Sequence, residues 1–155
     1  MVMTKRTSLT WYTILGLIIL MQVYPIDRPS VSSDNPNDLL LNTEIPIEVG
    51  EMLRTACYDC HSNETAYPWY TNIAPVKFLI YRDINEGREH LNFSNWTSMS
   101  KMDIAGALSE ISDEVSDGDM PMKIYPITHP DAKLSDEDRA LIVKWVDDYT
   151  ELLFE

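Results

Sequence analysis

The chain lacks internal repeats, low-complexity segments and a surplus of positive charge. Without a repeat, a solenoid or any array built from one recurring motif is excluded. Only five glycines and nine prolines occur in 155 residues, while 45% of the side chains are hydrophobic and 10% aromatic, so the chain folds rather than staying disordered. That length suits one domain with a buried core. Two of the 12 basic residues, Lys5 and Arg6, precede Pro25, which leaves ten against 25 acids in the rest and a net charge of -13 overall. Such a surface repels nucleic acid and favours basic partners or simple solubility. Three histidines and two cysteines are few. They form no convincing nucleophile–base–acid triad, so the chain is not obviously an enzyme in its own right.

What it does have, near its start, is a run of 20 uncharged residues from Thr7 to Ile26, centred on Ile14–Met21. As a helix rising about 1.5 Å per residue, such a run reaches roughly 30 Å, the thickness of a bilayer's hydrocarbon. Trp11, Tyr12 and Tyr24 stand where aromatic rings favour the interface, and Lys5 and Arg6 orient the N-terminus inward. The expected organisation is a cytoplasmic N-terminus at 1–6, a transmembrane anchor or signal at 7–26, a Pro-, Ser- and Asn-containing linker at 27–43, and a domain at 44–155. Met21-Gln22-Val23-Tyr24-Pro25 is too bulky for a cleavage site, which favours an uncleaved anchor. Leu39-Leu40-Leu41 is the part of the linker expected to pack back on the domain.

The domain reads as all-α, since apolar residues recur at three and four and nowhere alternate convincingly. Helices are expected from about Pro46 to Ala56, from Pro75 to Glu89, and from a cap at Ser94 to Val115. In the second, Val76, Phe78, Leu79 and Ile84 are the apolar residues. The fourth opens at Ser135 with Asp138 three residues on, and Leu141, Ile142, Trp145, Val146, Tyr149 and Leu152 form one stripe.

Both cysteines fall in Cys57-Tyr58-Asp59-Cys60-His61, at the end of the first of these helices. C-x-x-C-H is the attachment pattern of a c-type haem. Two thiols three residues apart can add to the two vinyl groups along one porphyrin edge, and the next residue then brings an imidazole under the iron. A structural zinc site would need four ligands, recruiting a distant His90 or His129. A thioredoxin-like redox pair would need a preceding strand, and none is expected.

The flanking residues carry a resemblance. His61-Ser62-Asn63-Glu64-Thr65, Tyr67-Pro68-Trp69-Tyr70, Ile73-Ala74-Pro75, Gly87-Arg88, Leu91-Asn92-Phe93-Ser94 with Trp96, Gly118-Asp119-Met120-Pro121 with Tyr125, His129-Pro130 and Leu134-Ser135 resemble the bacterial haem-binding domain family of small, membrane-anchored C-x-x-C-H proteins. The likeness covers roughly residues 40–150. It implies a monohaem, cytochrome c-like helical domain with one covalent haem c, and says little about its redox partner.

Cys57, Cys60 and His61 are the expected attachment and proximal ligand residues. The second axial ligand lies among Met52, Met99, Met102, Met120, Met122, His90 and His129, unless the position is open. Met120 is preferred: it precedes Pro121, is therefore held extended, and follows His61 by 59 residues, much as the ligand methionine does in small cytochromes c. Tyr67, Trp69, Tyr70 and Trp96 are candidates to line the haem, and Arg88 to pair with a propionate, against ordinary packing and surface roles for each. The resulting expectation is electron transfer at the bacterial inner membrane, in a single-pass protein with its domain in the periplasm. A haem-based sensor with a displaceable sixth ligand is the rival, and a peroxidase a weaker one.

Overall fold

The computed structural model describes residues 5–155, with side chains from Leu9 onward, so residues 1–4 of the expected cytoplasmic segment lie outside it. All regular elements among the described residues are helical: α1 (Lys5–Val23), α2 (Leu39–Asn42), α3 (Ile47–Ala56), α4 (Tyr58–His61), α5 (Val76–His90), α6 (Lys101–Asp117), α7 (Tyr125–Thr128) and α8 (Asp136–Phe154). Short 3-10 turns at Trp69–Asn72, Phe93–Ser98 and Pro130–Ala132 connect them.

The transmembrane expectation is overturned. Among the described residues no helix is long and apolar enough to cross a membrane. Helix α1 spends its first turns on Lys5, Arg6, Thr7, Ser8 and Thr10, has Thr13 beyond them and meets Gln22 near its end. The unbroken apolar run, Ile14 to Met21, is eight residues, roughly 12 Å of helix. The inner-membrane placement and the membrane contact expected through this helix fall with it.

Nor is 27–43 a tether. The Arg28 guanidinium sits 3.8 Å over the Tyr67 ring, Tyr67 donates to the Pro29 carbonyl, and the Ser32 amide donates to Asn63. Leu39 and Asp38 are buried, and Asp38 accepts hydrogen bonds from the Leu40 amide and the Tyr58 hydroxyl. The folded body therefore takes in this stretch, and the leucine triplet contributes one core residue, Leu39.

The core is built on α6 and α8, which pack along one another, with α3 laid against α8. Leu53, Leu108 and Ile142 are fully buried and join Trp96, Val115 and Trp145 in one cluster. Each such side chain contributes about 1.5–3 kcal/mol relative to exposure. Both long helices begin in reciprocal caps. Ser135 and Asp138 bind each other's backbone amides at 3.1 and 2.8 Å. Ser100 and Asp103 do the same at α6.

That second cap corrects the expected helix from Ser94 to Val115. Asn92 instead caps a 3-10 turn, the chain extends at Met99, and α6 restarts at Ser100. Met102, one of the candidate axial ligands, is exposed as a result. The buried face of α5 is likewise Lys77, Tyr81 and Ile84, leaving Leu79 half exposed.

Candidate functional site

Helix α3 ends where Cys57 leaves the helical path, and the Cys57 carbonyl then accepts the amides of Cys60 and His61, starting α4. This tight turn puts both sulfurs and the imidazole on the wall of one cavity of about 560 Å³. The turn is held from several sides. Thr65 Oγ1 donates to the Asp59 carbonyl, and Asp59 Oδ1 accepts the Ala66 amide. Asp59 Oδ2 accepts the Tyr125 hydroxyl at 2.7 Å. Buried Ser62 closes the turn by donating to the Tyr58 carbonyl and accepting the Glu64 amide.

His61 is oriented by α5. Its Nδ1 lies 3.0 Å from the Gly87 carbonyl and 3.1 Å from that of Leu91. Carbonyl oxygens only accept, so Nδ1 carries the proton. Burial holds the imidazole below the usual histidine range, which favours the neutral ring. Nε2 is therefore left with its lone pair, the state a metal-ligating histidine requires. A Cβ on Gly87 would lie 2.9 Å from the Cys60 carbonyl oxygen, so α5 approaches the turn this closely only with glycine there.

Burial, reinforced by Cys60, pushes the Cys57 thiol up to about 12; burial, with Asp59 and Asp83, pushes Cys60 up to about 11. Both are free thiols. A redox pair needs the opposite shift. Zinc fares no better: among the described residues no group of three or more His, Cys, Asp or Glu is arranged to hold a metal ion.

The cavity's other wall comes from the segment after α6. Gly118 takes the left-handed conformation (φ 76°), and the amides of Asp119 and Met120 fold back onto the Glu114 carbonyl, both at 3.0 Å. Met120, Pro121, Met122 and Tyr125 thereby line the cavity along with Leu53, Phe93, Ile111 and Val115. Its charged members are all acidic: Asp83, Glu86, Glu110 and Glu114, with His90 beside them and no lysine or arginine.

Five residues expected to line the haem or pair with it, Tyr67, Trp69, Tyr70, Arg88 and Trp96, do not line this cavity. Arg88 donates to the Ser62 and Ser30 carbonyls and to Thr65 Oγ1, tying the 27–43 stretch to the motif. Tyr67 holds the same stretch through the Pro29 carbonyl. Trp96 is fully buried and donates to the Tyr149 hydroxyl, while Trp69 is 77% exposed. Among the other ligand candidates, Met52 and Met99 pack against the core. Tyr70 does not line the cavity; it binds His129, which stacks on Tyr125 at 4.2 Å. Sequence reasoning missed Tyr125's bond to Asp59, although both residues stood in quoted motifs. Gly87 carried no distinguishing signal, since Gly106 also sits inside a helical pattern and meets nothing within 4 Å of its would-be Cβ.

A family model described as a haem-binding domain matches residues 16–148. The chain belongs to this haem-binding domain family. No curated protein and no solved structure matches it. Membership in the haem-binding domain family supports haem as the cofactor, and the cavity can be tested against that group. Its volume lies within the usual 300–1,000 Å³ range of cofactor sites, and its walls are largely apolar. It offers thiols, one imidazole nitrogen with a free lone pair, and thioethers. The residues present would fit the iron and the apolar body of a haem, while no lysine or arginine in the lining would pair with a propionate.

Proposed function

We propose that the chain is a monohaem c-type electron carrier. The observation that carries this reading is the meeting, in one apolar cavity, of Cys57, Cys60, the freed Nε2 of His61 and the thioether of Met120. Cys57 and Cys60 hold the porphyrin through thioether bonds. His61 and Met120 would be the residues that ligate its iron. The bound group supplies an iron that gains and loses one electron, and the protein supplies everything around it. Gly87 and Leu91 keep His61 in its ligating tautomer. Leu53, Phe93, Ile111 and Val115 exclude water, while thioether ligation favours the reduced state and raises the potential. The four carboxylates oppose that rise by favouring the more positive, oxidised state.

The cofactor is thus one covalent haem c, and the partner a redox protein whose docking face is basic. Lysines or arginines on such a face complement Glu86, Glu110 and Glu114 on the exposed part of the lining. Glu86 lies on α5, and Glu110 and Glu114 lie on α6.

The test is made on the purified, haem-loaded chain. Haem should stay with the polypeptide through denaturing electrophoresis and be lost from a Cys57→Ala, Cys60→Ala double variant. The ferric spectrum should contain the near-infrared sulfur-to-iron charge-transfer band and lose it in Met120→Ala. The reduced protein should bind carbon monoxide slowly. Rapid carbon monoxide binding by the unaltered protein would sink the electron-carrier reading in favour of a ligand-binding sensor.

A further inference from the structure

Arg139 lies in the first turn of α8. Among the described residues it makes no ion pair. Its Nη1 instead donates to two backbone carbonyls, Val115 at 2.7 Å and Met120 at 2.8 Å. The first is a carbonyl of the last turn of α6, and the second belongs to the residue expected to ligate the iron. The Met120 amide is held too, by the Glu114 carbonyl at 3.0 Å. The peptide units on both sides of Met120 are therefore fixed, one by α6 and one by α8. Arg139 is itself placed by the α8 cap, since its amide donates to the Ser135 carbonyl at 3.1 Å.

We propose that Arg139 is a positioning residue for the second axial ligand, fixing the Met120 backbone so that its thioether stays on the iron. This rests on the reading of Met120 as that ligand. A methionine sulfur is a weak, uncharged donor on a flexible side chain, and an external base competes for its place. Holding the backbone at both ends removes the loop freedom that would otherwise favour release. The guanidinium suits this task because one nitrogen carries two hydrogens in a fixed plane.

The measurement is imidazole binding to the ferric, haem-loaded full chain, followed with the charge-transfer band. Arg139→Ala should bind imidazole roughly tenfold more tightly or better, the equivalent of losing one charge-assisted hydrogen bond, and should weaken the band. Met120→Ala should bind it more tightly still. Adding Arg139→Ala to Met120→Ala should then change nothing, because Arg139 acts only through Met120. Arg139→Lys, which keeps the charge but loses the planar fork, should fall between the parent and Arg139→Ala, and it carries the test if the alanine variant does not fold. Parent-like imidazole affinity in the arginine variants, with a changed Met120→Ala, overturns the role of Arg139 and leaves the ligand reading standing. Parent-like affinity and spectrum in Met120→Ala overturns the ligand reading, and the role of Arg139 with it. A further tightening by Arg139→Ala on the Met120→Ala background would also overturn the proposal, since it would show a general loosening of the fold.

Discussion

The carbonyl of Gly87 lies 3.0 Å from His61 Nδ1, and a side chain on Gly87 would start 3.4 Å from the same ring's Cε1. One helical position thus supplies the acceptor that sets the histidine tautomer and the empty space that lets the motif approach. Gly87→Ala would place its Cβ 2.9 Å from the Cys60 carbonyl oxygen, a backbone atom that cannot swing away. Alanine is better than glycine in a helix by up to about 1 kcal/mol, but overpacking against backbone costs about 1–3 kcal/mol, so a net loss is expected. Gly106, in the middle of α6, has nothing within 4 Å of its would-be Cβ. Gly106→Ala should raise stability by about 0.5–1 kcal/mol. Paired denaturant titrations of the two variants check this, and equal shifts would show that the approach at Gly87 is not tight.

Helix α8 makes a prediction in pH. Hydrogen bonds from the Ser135 amide and hydroxyl hold the Asp138 carboxyl below its usual range. A carboxyl depressed in the folded state contributes stability that is present above its unfolded value, near 3.9. That contribution is lost as pH falls through the folded value. Asp138→Asn should therefore melt lower than the parent at neutral pH, with the gap closing below about pH 4. Ser135→Ala should cost about 1 kcal/mol at neutral pH. Thermal melts across the acid range measure both, and a gap that persists at the lowest pH would place the effect outside the carboxylate.

These cases also show which features local sequence encodes. Cys57–His61 and Met120-Pro121 stand out in the sequence because adjacent residues carry each pattern, and the fold brings both to the wall of one cavity. Ser135 with Asp138 is legible for the same reason, and the all-helical class follows from periodicity. Ser100 with Asp103 has the same form but lies inside an apolar pattern that already begins at Ser94, so one long helix seemed sufficient. Gly87 meets His61 across 26 residues, and Arg139 meets Met120 across 19; neither spacing is a local signal. Arg88, Tyr67 and Trp96 suit a haem by residue type, yet their partners are Ser62, Pro29 and Tyr149, which only the folded chain brings together. The N-terminal run failed for another reason. Counting uncharged residues treats Thr7, Ser8, Thr10, Thr13 and Gln22 as though they were apolar.

Lys77 fixes how α1 leaves the body. Its buried ammonium donates to the carbonyls of Gln22 and Tyr24 at 3.0 and 3.1 Å, the end of α1 and the residue after it. The Gln22 side chain spans the Asn72 carbonyl and the Ala74 amide alongside. Lys77→Met keeps the apolar stem and removes the donors, so only the joint should suffer. The expected result is faster cleavage before the exposed Asp27 by a protease specific for the bond preceding aspartate, with little change in overall melting. Unchanged cleavage would mean that Gln22 alone suffices to hold the helix.

Tyr125 joins the two walls of the cavity. Its hydroxyl donates to Asp59 Oδ2 at 2.7 Å, and its ring stacks on His129 with an interplanar angle of 10°. The hydroxyl reaches the Cys57–His61 turn from the segment that follows Met120 and Met122. Tyr125→Phe keeps the ring and deletes this bond. Because Asp59 is only partly buried and still accepts the Ala66 amide, water can replace the lost donor, and the cost should sit near the low end of the 1–3 kcal/mol for an unmade buried bond. For a domain of this size, about 1 kcal/mol lowers the melting temperature by roughly 2–4 °C. Tyr125→Leu removes the stacking as well and should fall further. Equal melting of the phenylalanine variant and the parent, with a drop only in the leucine variant, would assign the link to the ring rather than to the hydroxyl.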